Sequence, residues 1–549
     1  MKDNKKQLLV IFIIALIVML PMFLINGYII NDDSKFHIAN VLSTIDTMNP
    51  LIPKDILPNL LGNFGVAVRQ FYPIFPHTFI SIFTKITALD ITLTLKITHL
   101  IELFLSGFTM YFLSLRLSKN KKVALTSSII YMLFPYHLMD IYVRDAINES
   151  FIFIFIPVII HGLTYLFEDK KKFLLLFCFG YVLAMLSHLT MMVYFTVLLI
   201  PFFIINYKRV FKKDVIITLV EAALIILLIT SPTIVNMFQN KIFGDYRVFS
   251  KGVMAQGIYH SALSSDYINY FGLLNNYSWN GFSDPNHYFY IDIVVLLMLI
   301  VLLITFIIRI IRKNKIRRDN NYLFIIIFGI LSLWLSSILF PWDLLPESFR
   351  IIQFPWRMET FLSLSVAIIA PLSLKYFKKI KIDYKLIIIL MAIFAFCFHT
   401  TSPKDRELYD KNNIYYELGI GWQHEYLSNK TYNNLDDIKN MDYKIKVSNG
   451  QSNIINDDFP NIKFEISEDS IVKIPRLFYF GYTLKDDKNN TYDIYDDDYG
   501  LIAANLKKGT YELKYTRTTI ENIFIAISLL TIVLFIFYLY KDKLKRKDL

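Results

Sequence analysis

The chain is built from long apolar runs separated by short basic clusters. Residues 7–27, QLLVIFIIALIVMLPMFLING, carry no charge. An α-helix rises about 1.5 Å per residue, so such a run crosses a hydrocarbon core of about 30 Å. Comparable runs predict further spans at about 91–115, 122–139, 149–167, 172–188, 190–206 and 215–236. More follow at about 290–311, 322–340, 357–375, 384–399 and 521–540. Residues 28–90 form a first outer loop and 237–289 a second. Within the first, FYPIFPHTFISIFTKI from Phe71 is apolar but proline-marked and short, which predicts a helix lying in the interface. Residues 400–519 break the pattern. YKIKVS, NIKFEIS and GTYELKYTRT alternate with the period of a strand, and DDKNN and DDDYG read as turns. The expected fold is an all-α polytopic membrane bundle of about 12 transmembrane helices with a small extracytoplasmic β-rich domain. The bundle takes 1–399, the β-rich domain 400–519, and a last helix with its basic tail 520–549.

Composition sharpens this picture. The chain is 55% hydrophobic, above the roughly 45–50% of soluble domains. A net charge of +11 by itself suggests nucleic acid, but its placement argues against that partner. The cations cluster between apolar runs: Lys2 to Lys6, Arg116 to Lys122, Lys170 to Lys172, Lys208 to Lys213, Arg309 to Arg318, Lys375 to Lys385, and the tail KDKLKRKDL. That is the positive-inside pattern, and it puts both termini in the cytoplasm of a multi-pass cell-membrane protein. The first run lacks a small-residue cleavage site and reads as a retained signal anchor. Cys178 and Cys397 both lie in apolar runs, so neither a disulfide framework nor a zinc spacing is available. No Walker loop, G-x-G-x-x-G, H-E-x-x-H or G-x-S-x-G occurs, which argues against a nucleotide-using enzyme. No cofactor is called for, although a divalent metal is compatible with the acids below.

Four constellations can carry chemistry. Asp32, Asp33 and His37 directly follow the first span. A carboxylate at a membrane mouth can act as general base or metal ligand, while the bland alternative is a solvated helix exit. Asn63, Arg69, Tyr72, Pro73 and His77 follow in the same loop. Next comes YVRDAINE, with Arg144 able to grip a phosphate bidentately and Glu149 a second acid. Asp145 is a candidate local partner for Arg144, and an exposed, dipole-favoured helix start is the bland reading. His188 in SHLT is an ionisable group at a span end, either functional or simply hydrogen-bonded. Arg357 in QFPWRME either snorkels to the interface or holds a lipid phosphate. Glu102 and Glu221 lie within spans and read as helix contacts.

The pieces DDSKFH, NFGVAVRQFYPIFP, FPYHLMDIYVRDAINESF, MLSHLT, IQFPWRMETF and IPRLFYFGY together carry a resemblance. The pattern resembles the GT-C superfamily of membrane glycosyltransferases. More closely, it resembles bacterial membrane proteins labelled as related to 6-pyruvoyl-tetrahydropterin synthase, near the YfhO-like group. The His-rich zinc site of soluble pterin synthases is absent. The resemblance implies an acidic residue in the first outer loop, here Asp33, and a glycine where this chain has Asp145. It implies sugar transfer from a polyprenyl-phosphate donor to a glycan or lipid acceptor of the envelope. Asp33, His37 and Glu149 are the expected catalytic residues. Asp32, Arg69, Tyr72, Arg144, His188 and Arg357 are the expected substrate-binding residues, with membrane lipid as a further partner. Two rivals remain: a transporter or flippase for lipid-linked glycans, expected to show inverted repeats and broken helices, and a non-enzymatic envelope assembly factor.

Overall fold

A computed structural model describes residues 4–48, 54–250, 253, 320–336, 340–374, 408–409, 420–421 and 424–545. The spans expected at 290–311 and 384–399, most of the 237–289 loop and nearly all of 400–419 lie outside the described residues. The described chain is mostly helical with small sheets. Four helices are long and apolar enough to cross a membrane: Lys5–Leu24, Ile91–Ser118, Lys213–Ile242 and Thr519–Lys541. They suggest a membrane protein.

Several expected spans are shorter or divided, and the reasons are local. The run at 122–139 becomes Lys121–Met132 and Pro135–Tyr142. Proline lacks the N–H that would continue the ladder, and it disfavours helix in the residue before it. Ile147–Leu163 is likewise split into a turn, Ile147–Ser150, and a helix, Ile152–Leu163. Leu189–Leu198 gives way to Ile200–Ile205, whose first turn holds Pro201. The Lys170–Ser187 helix packs tightly on Ile152–Leu163, and Gly162 is the reason. A Cβ there would stand 2.5 Å from the Phe177 backbone nitrogen, so only glycine allows the two backbones this close.

The first outer loop is more ordered than its sequence suggests. It contains two packed helices, Ser34–Thr47 and Phe75–Thr87. Nine strands lie between Lys446 and Tyr515: β1 Lys446–Val447, β2 Ser452–Asp458, β3 Asn461–Ile466, β4 Ser470–Leu477, β5 Tyr482–Asp486, β6 Thr491–Tyr492, β7 Tyr495–Asp496, β8 Leu501–Leu506 and β9 Gly509–Tyr515. They form two antiparallel sheets, ordered β1-β4-β8-β7 and β2-β3-β9-β5-β6. Alternation is plain in β3, which buries Ile462, Phe464 and Ile466 and turns the residues between them outward.

The sheets are fastened to the segment between Asp55 and Gln70. Arg517 grips Asp55 with two hydrogen bonds of 2.7 and 2.8 Å. Gln70 Nε2 donates to the Tyr515 hydroxyl at 2.8 Å, and the Leu477 amide donates to the Phe64 carbonyl at 3.2 Å. The closing helix, Thr519–Lys545, then packs along Lys213–Phe243, where Ser528 donates to the Ile229 carbonyl at 2.8 Å.

Candidate functional site

The site begins where the turn at 143–145 meets the start of the Ser34–Thr47 helix. The Asp33 amide donates to the Arg144 carbonyl at 2.7 Å. Asp145 adopts φ +55°, a left-handed conformation that costs most residues about 1–2 kcal/mol. This is the position where the resemblance implies glycine. The aspartate is held there by its own side chain, which is fully buried and accepts from Ser34 Oγ at 2.6 Å and from the Tyr28 hydroxyl at 3.0 Å. His99 Nε2 lies 2.9 Å from the same carboxylate. Asp145 is therefore not the partner of Arg144, contrary to expectation. The two side chains leave the turn in different directions.

Arg144 is instead the centre of a buried network. Its Nη1 donates to Asp140 at 2.9 Å, to Glu149 at 3.0 Å and to the Tyr136 hydroxyl at 3.1 Å. Its Nη2 meets Asp33 Oδ2 at 3.3 Å. Tyr136 in turn donates a short hydrogen bond to Glu149. Arg357 closes the network from another helix start. Its Nε donates to Glu149 Oε2 at 3.1 Å, and its Nη1 donates to the Ile352 carbonyl at 2.8 Å and to Gln353 Oε1 at 3.3 Å. Arg144, Asp140 and Glu149 are buried, whereas the Asp33 side chain is 41% exposed. The exposed helix start considered for Arg144 and Glu149 is thus overturned by burial. The bonds of Arg144 go to protein carboxylates and the Tyr136 hydroxyl, through Nη1 and one contact of Nη2. Asp140 went unnoticed in the sequence, although an i,i+4 acid–arginine pair was its available signal.

Other expected residues fall in different places. His37 lies one turn along the helix from Asp33 and is buried, and its Nδ1 shares a 2.7 Å hydrogen bond with His77 Nε2. Burial holds both imidazoles below the ordinary histidine range. Asp32 is exposed. Tyr72 packs edge-on against Phe36 at 5.5 Å and lies 6.4 Å from the His188 ring. His188 Nδ1 bonds Thr190 Oγ1 at 3.0 Å, and the ring lies within the fields of Arg357 and Glu149. Arg69 stands apart. Its Nη2 donates to Thr44 Oγ1 at 2.8 Å. Thr44 is three helical turns from Asp33, roughly 16 Å at the α-helical rise. Burial lowers the Arg69 pKa to about 10.

One amide assembles these pieces. Asn148 Nδ2 donates to the Pro73 carbonyl at 2.8 Å and to the Ser187 carbonyl at 3.0 Å. It thereby draws the Tyr72 loop and the His188 turn against the Arg144 network. Glu102 and Glu221 both make helix contacts. Glu102 meets His137 Nε2 at 2.7 Å, fully buried, and Glu221 meets Lys170 at 2.6 Å nearer the surface. Among the described residues no group of three or more His, Cys, Asp or Glu side chains is disposed to hold a metal ion. The acids offered for that role face arginines instead. Neither protein-family models nor curated proteins give a match to this chain.

Two outcomes follow. Arg144→Lys keeps the charge but has a single nitrogen, which cannot reach Asp33, Asp140 and Glu149 together. Each carboxylate left unpaired costs about 1–3 kcal/mol, so the melting midpoint in detergent should fall by several degrees without any ligand. An unchanged midpoint would show that the network does not hold the fold. The histidine pair gives a pH effect. The unfolded chain protonates these imidazoles near their usual pKa of about 6.5, whereas the fold keeps them neutral to lower pH. Stability should therefore decline as pH falls below that value. The decline, followed by melting between about pH 7.5 and 5.5, should flatten in a His37→Asn, His77→Gln double variant.

Proposed function

We propose that this chain is a GT-C-type glycosyltransferase of the cell membrane, with about a dozen spans, cytoplasmic termini and its β-rich domain on the outer face. The observation that carries the reading is Asp33. It is the one partly exposed carboxylate of the Arg144 network, held through Oδ2, with Arg357 and the Tyr72 and His188 turns drawn to the same network. A carboxylate fixed on one side and open on the other is placed to take a proton from an acceptor hydroxyl.

The reaction is an inverting displacement. The acceptor oxygen bonds the anomeric carbon as its proton passes to Asp33. The bond from that carbon to the phosphate oxygen breaks, and the polyprenyl phosphate leaves with the electron pair. Arg357 offsets the growing charge on the leaving group. Arg144 orients Asp33 through its Oδ2. Glu149, enclosed by two guanidiniums, fixes both arginines relative to one another.

A second reading has its own support. His99 and Glu102, one turn apart on the Ile91–Ser118 helix, each belong to a buried imidazole–carboxylate pair, with Asp145 and His137. Buried ionisable pairs inside a bundle are typical of proton relays, which favours a transporter or flippase.

The two readings separate in detergent, where there are no compartments to transport between. The purified chain, given a panel of radiolabelled polyprenyl-phosphate sugars and envelope acceptors, should form a new glycosidic product. Asp33→Asn should lower that rate at least a hundredfold, equivalent to about 2.7 kcal/mol in the barrier, at an unchanged protein level and membrane insertion. If Asp33→Asn stays active and Glu149→Gln is dead, the base is Glu149. No transfer by the wild type with any donor would favour the transporter. The topology has an independent test. Gln451→Cys, in the exposed loop between β1 and β2 of a chain lacking its native cysteines, should react with a membrane-impermeant thiol reagent in intact cells. Labelling only after permeabilisation would falsify the outer placement.

A further inference from the structure

Three hydrogen-bond donors around Asp33 have no partner among the described residues. Arg357 commits Nε to Glu149 and Nη1 to Ile352 and Gln353, which leaves Nη2. The side chain is only 9% exposed, and this nitrogen lies on its accessible part. The Tyr72 hydroxyl donates to no described group, and neither does the hydroxyl of Tyr426. Their rings lie 6.1 Å apart, with Phe36 packed against both at 5.5 and 6.1 Å. Burial pushes both hydroxyls above the ordinary tyrosine range, while Arg357 pulls them back, so both remain O–H donors at neutral pH. Asn148 holds the carbonyl of Pro73, the neighbour of Tyr72, while the adjacent Glu149 holds Arg357, so Tyr72 and the Tyr426 ring against it lie on the Arg357 side of the network.

Tyr426 comes from the far end of the chain and is held firmly. Tyr479, in the loop after β4, donates to the Tyr426 carbonyl at 3.1 Å. The Val248 amide donates to the Glu425 carbonyl at 2.8 Å, and the Arg247 amide donates to the Leu427 carbonyl at 3.0 Å. Phe71 stacks on the Tyr426 ring at 5.9 Å. The ring is thus fixed by its neighbours while its hydroxyl has no acceptor among the described residues, which leaves it able to donate to a ligand.

We infer that Arg357 Nη2 and the hydroxyls of Tyr72 and Tyr426 form one phosphoryl-binding pocket, completed only by the C-terminal segment. A phosphate monoester presents three acceptor oxygens and a charge of about −1.5 to −2, which matches two neutral donors and one cation. Arg144 is assigned instead to the carboxylates of Asp33, Asp140 and Glu149, which it contacts directly. The ligand is the phosphate of a lipid-borne polyprenyl phosphate. That choice rests on the glycosyltransferase reading, whereas the three donors would accept a free phosphate equally.

The test is binding to the purified full chain in detergent, read by the fluorescence of Trp356, the neighbour of Arg357. The probes are a polyprenyl monophosphate, the polyprenol of equal length and inorganic phosphate. Tyr426→Phe removes one oxygen and keeps the ring, so the packing survives. It should weaken polyprenyl phosphate about tenfold and leave polyprenol binding unchanged, and Tyr72→Phe should do the same. Equal binding of polyprenyl phosphate by the wild type and both variants overturns the pocket while leaving the transferase reading standing. Tyrosine-dependent binding of inorganic phosphate without the lipid supports the pocket and removes the lipid-linked donor. A wild type that binds neither phosphate probe overturns both.

Discussion

The structure around the mouth depends on burying a single guanidinium. A cation removed from water is tolerated only where opposite charges and hydrogen bonds surround it, and breaking such a set costs about 3–5 kcal/mol. Arg144 meets that demand with Asp33, Asp140 and Glu149, drawn from three different elements. The helix after the first span, the short Pro135–Tyr142 helix and the Ile147–Ser150 turn are therefore fixed relative to one another. Glu149 then passes the constraint on to Arg357, and so to the start of the Glu359–Leu374 helix. Asn148 holds the Tyr72 loop and the His188 turn to the same centre.

This arrangement divides the charged residues by role. Enclosed carboxylates have fixed geometry but little access to a substrate. Asp33 combines a fixed oxygen with an open one, because it sits at the first residue outside its helix. The aspartate at 145 supports that placement from behind. Its carboxylate takes the Ser34 hydroxyl while its backbone bends into the left-handed region, so one residue sets both the turn and the helix start.

The apolar runs made the long helices legible, since Lys5–Leu24 and Thr519–Lys545 are visible as uncharged stretches with basic ends. Alternation marked β3 and β9, but the order of strands in two sheets depends on pairings between distant residues, which local pattern does not encode. The Ser34–Thr47 helix was missed for a physical reason. It buries His37, Asn40, Ser43 and Thr44 together with Ile38, Val41 and Leu42, so polar residues interrupt the hydrophobic period of its inward face. Asp33, Tyr72, His188 and Arg357 could be picked out as polar residues set among apolar ones. Arg69, chosen by the same logic, serves Thr44 instead. Tyr426 carries no local signal, because its importance arises only where the folded chain brings it beside Tyr72 and Phe36.

The fastening of the sheets to the segment between Asp55 and Gln70 bears on how the protein comes into being. Asp33 emerges from the ribosome among the earliest residues, whereas Tyr426 and the Arg517 clamp on Asp55 emerge near the last. A partly synthesised chain thus presents Asp33 before the ring and the clamp that finish its surroundings exist. The Arg144 network can close early, whereas the layer packed over Tyr72 and Phe36 waits for a segment made hundreds of residues later.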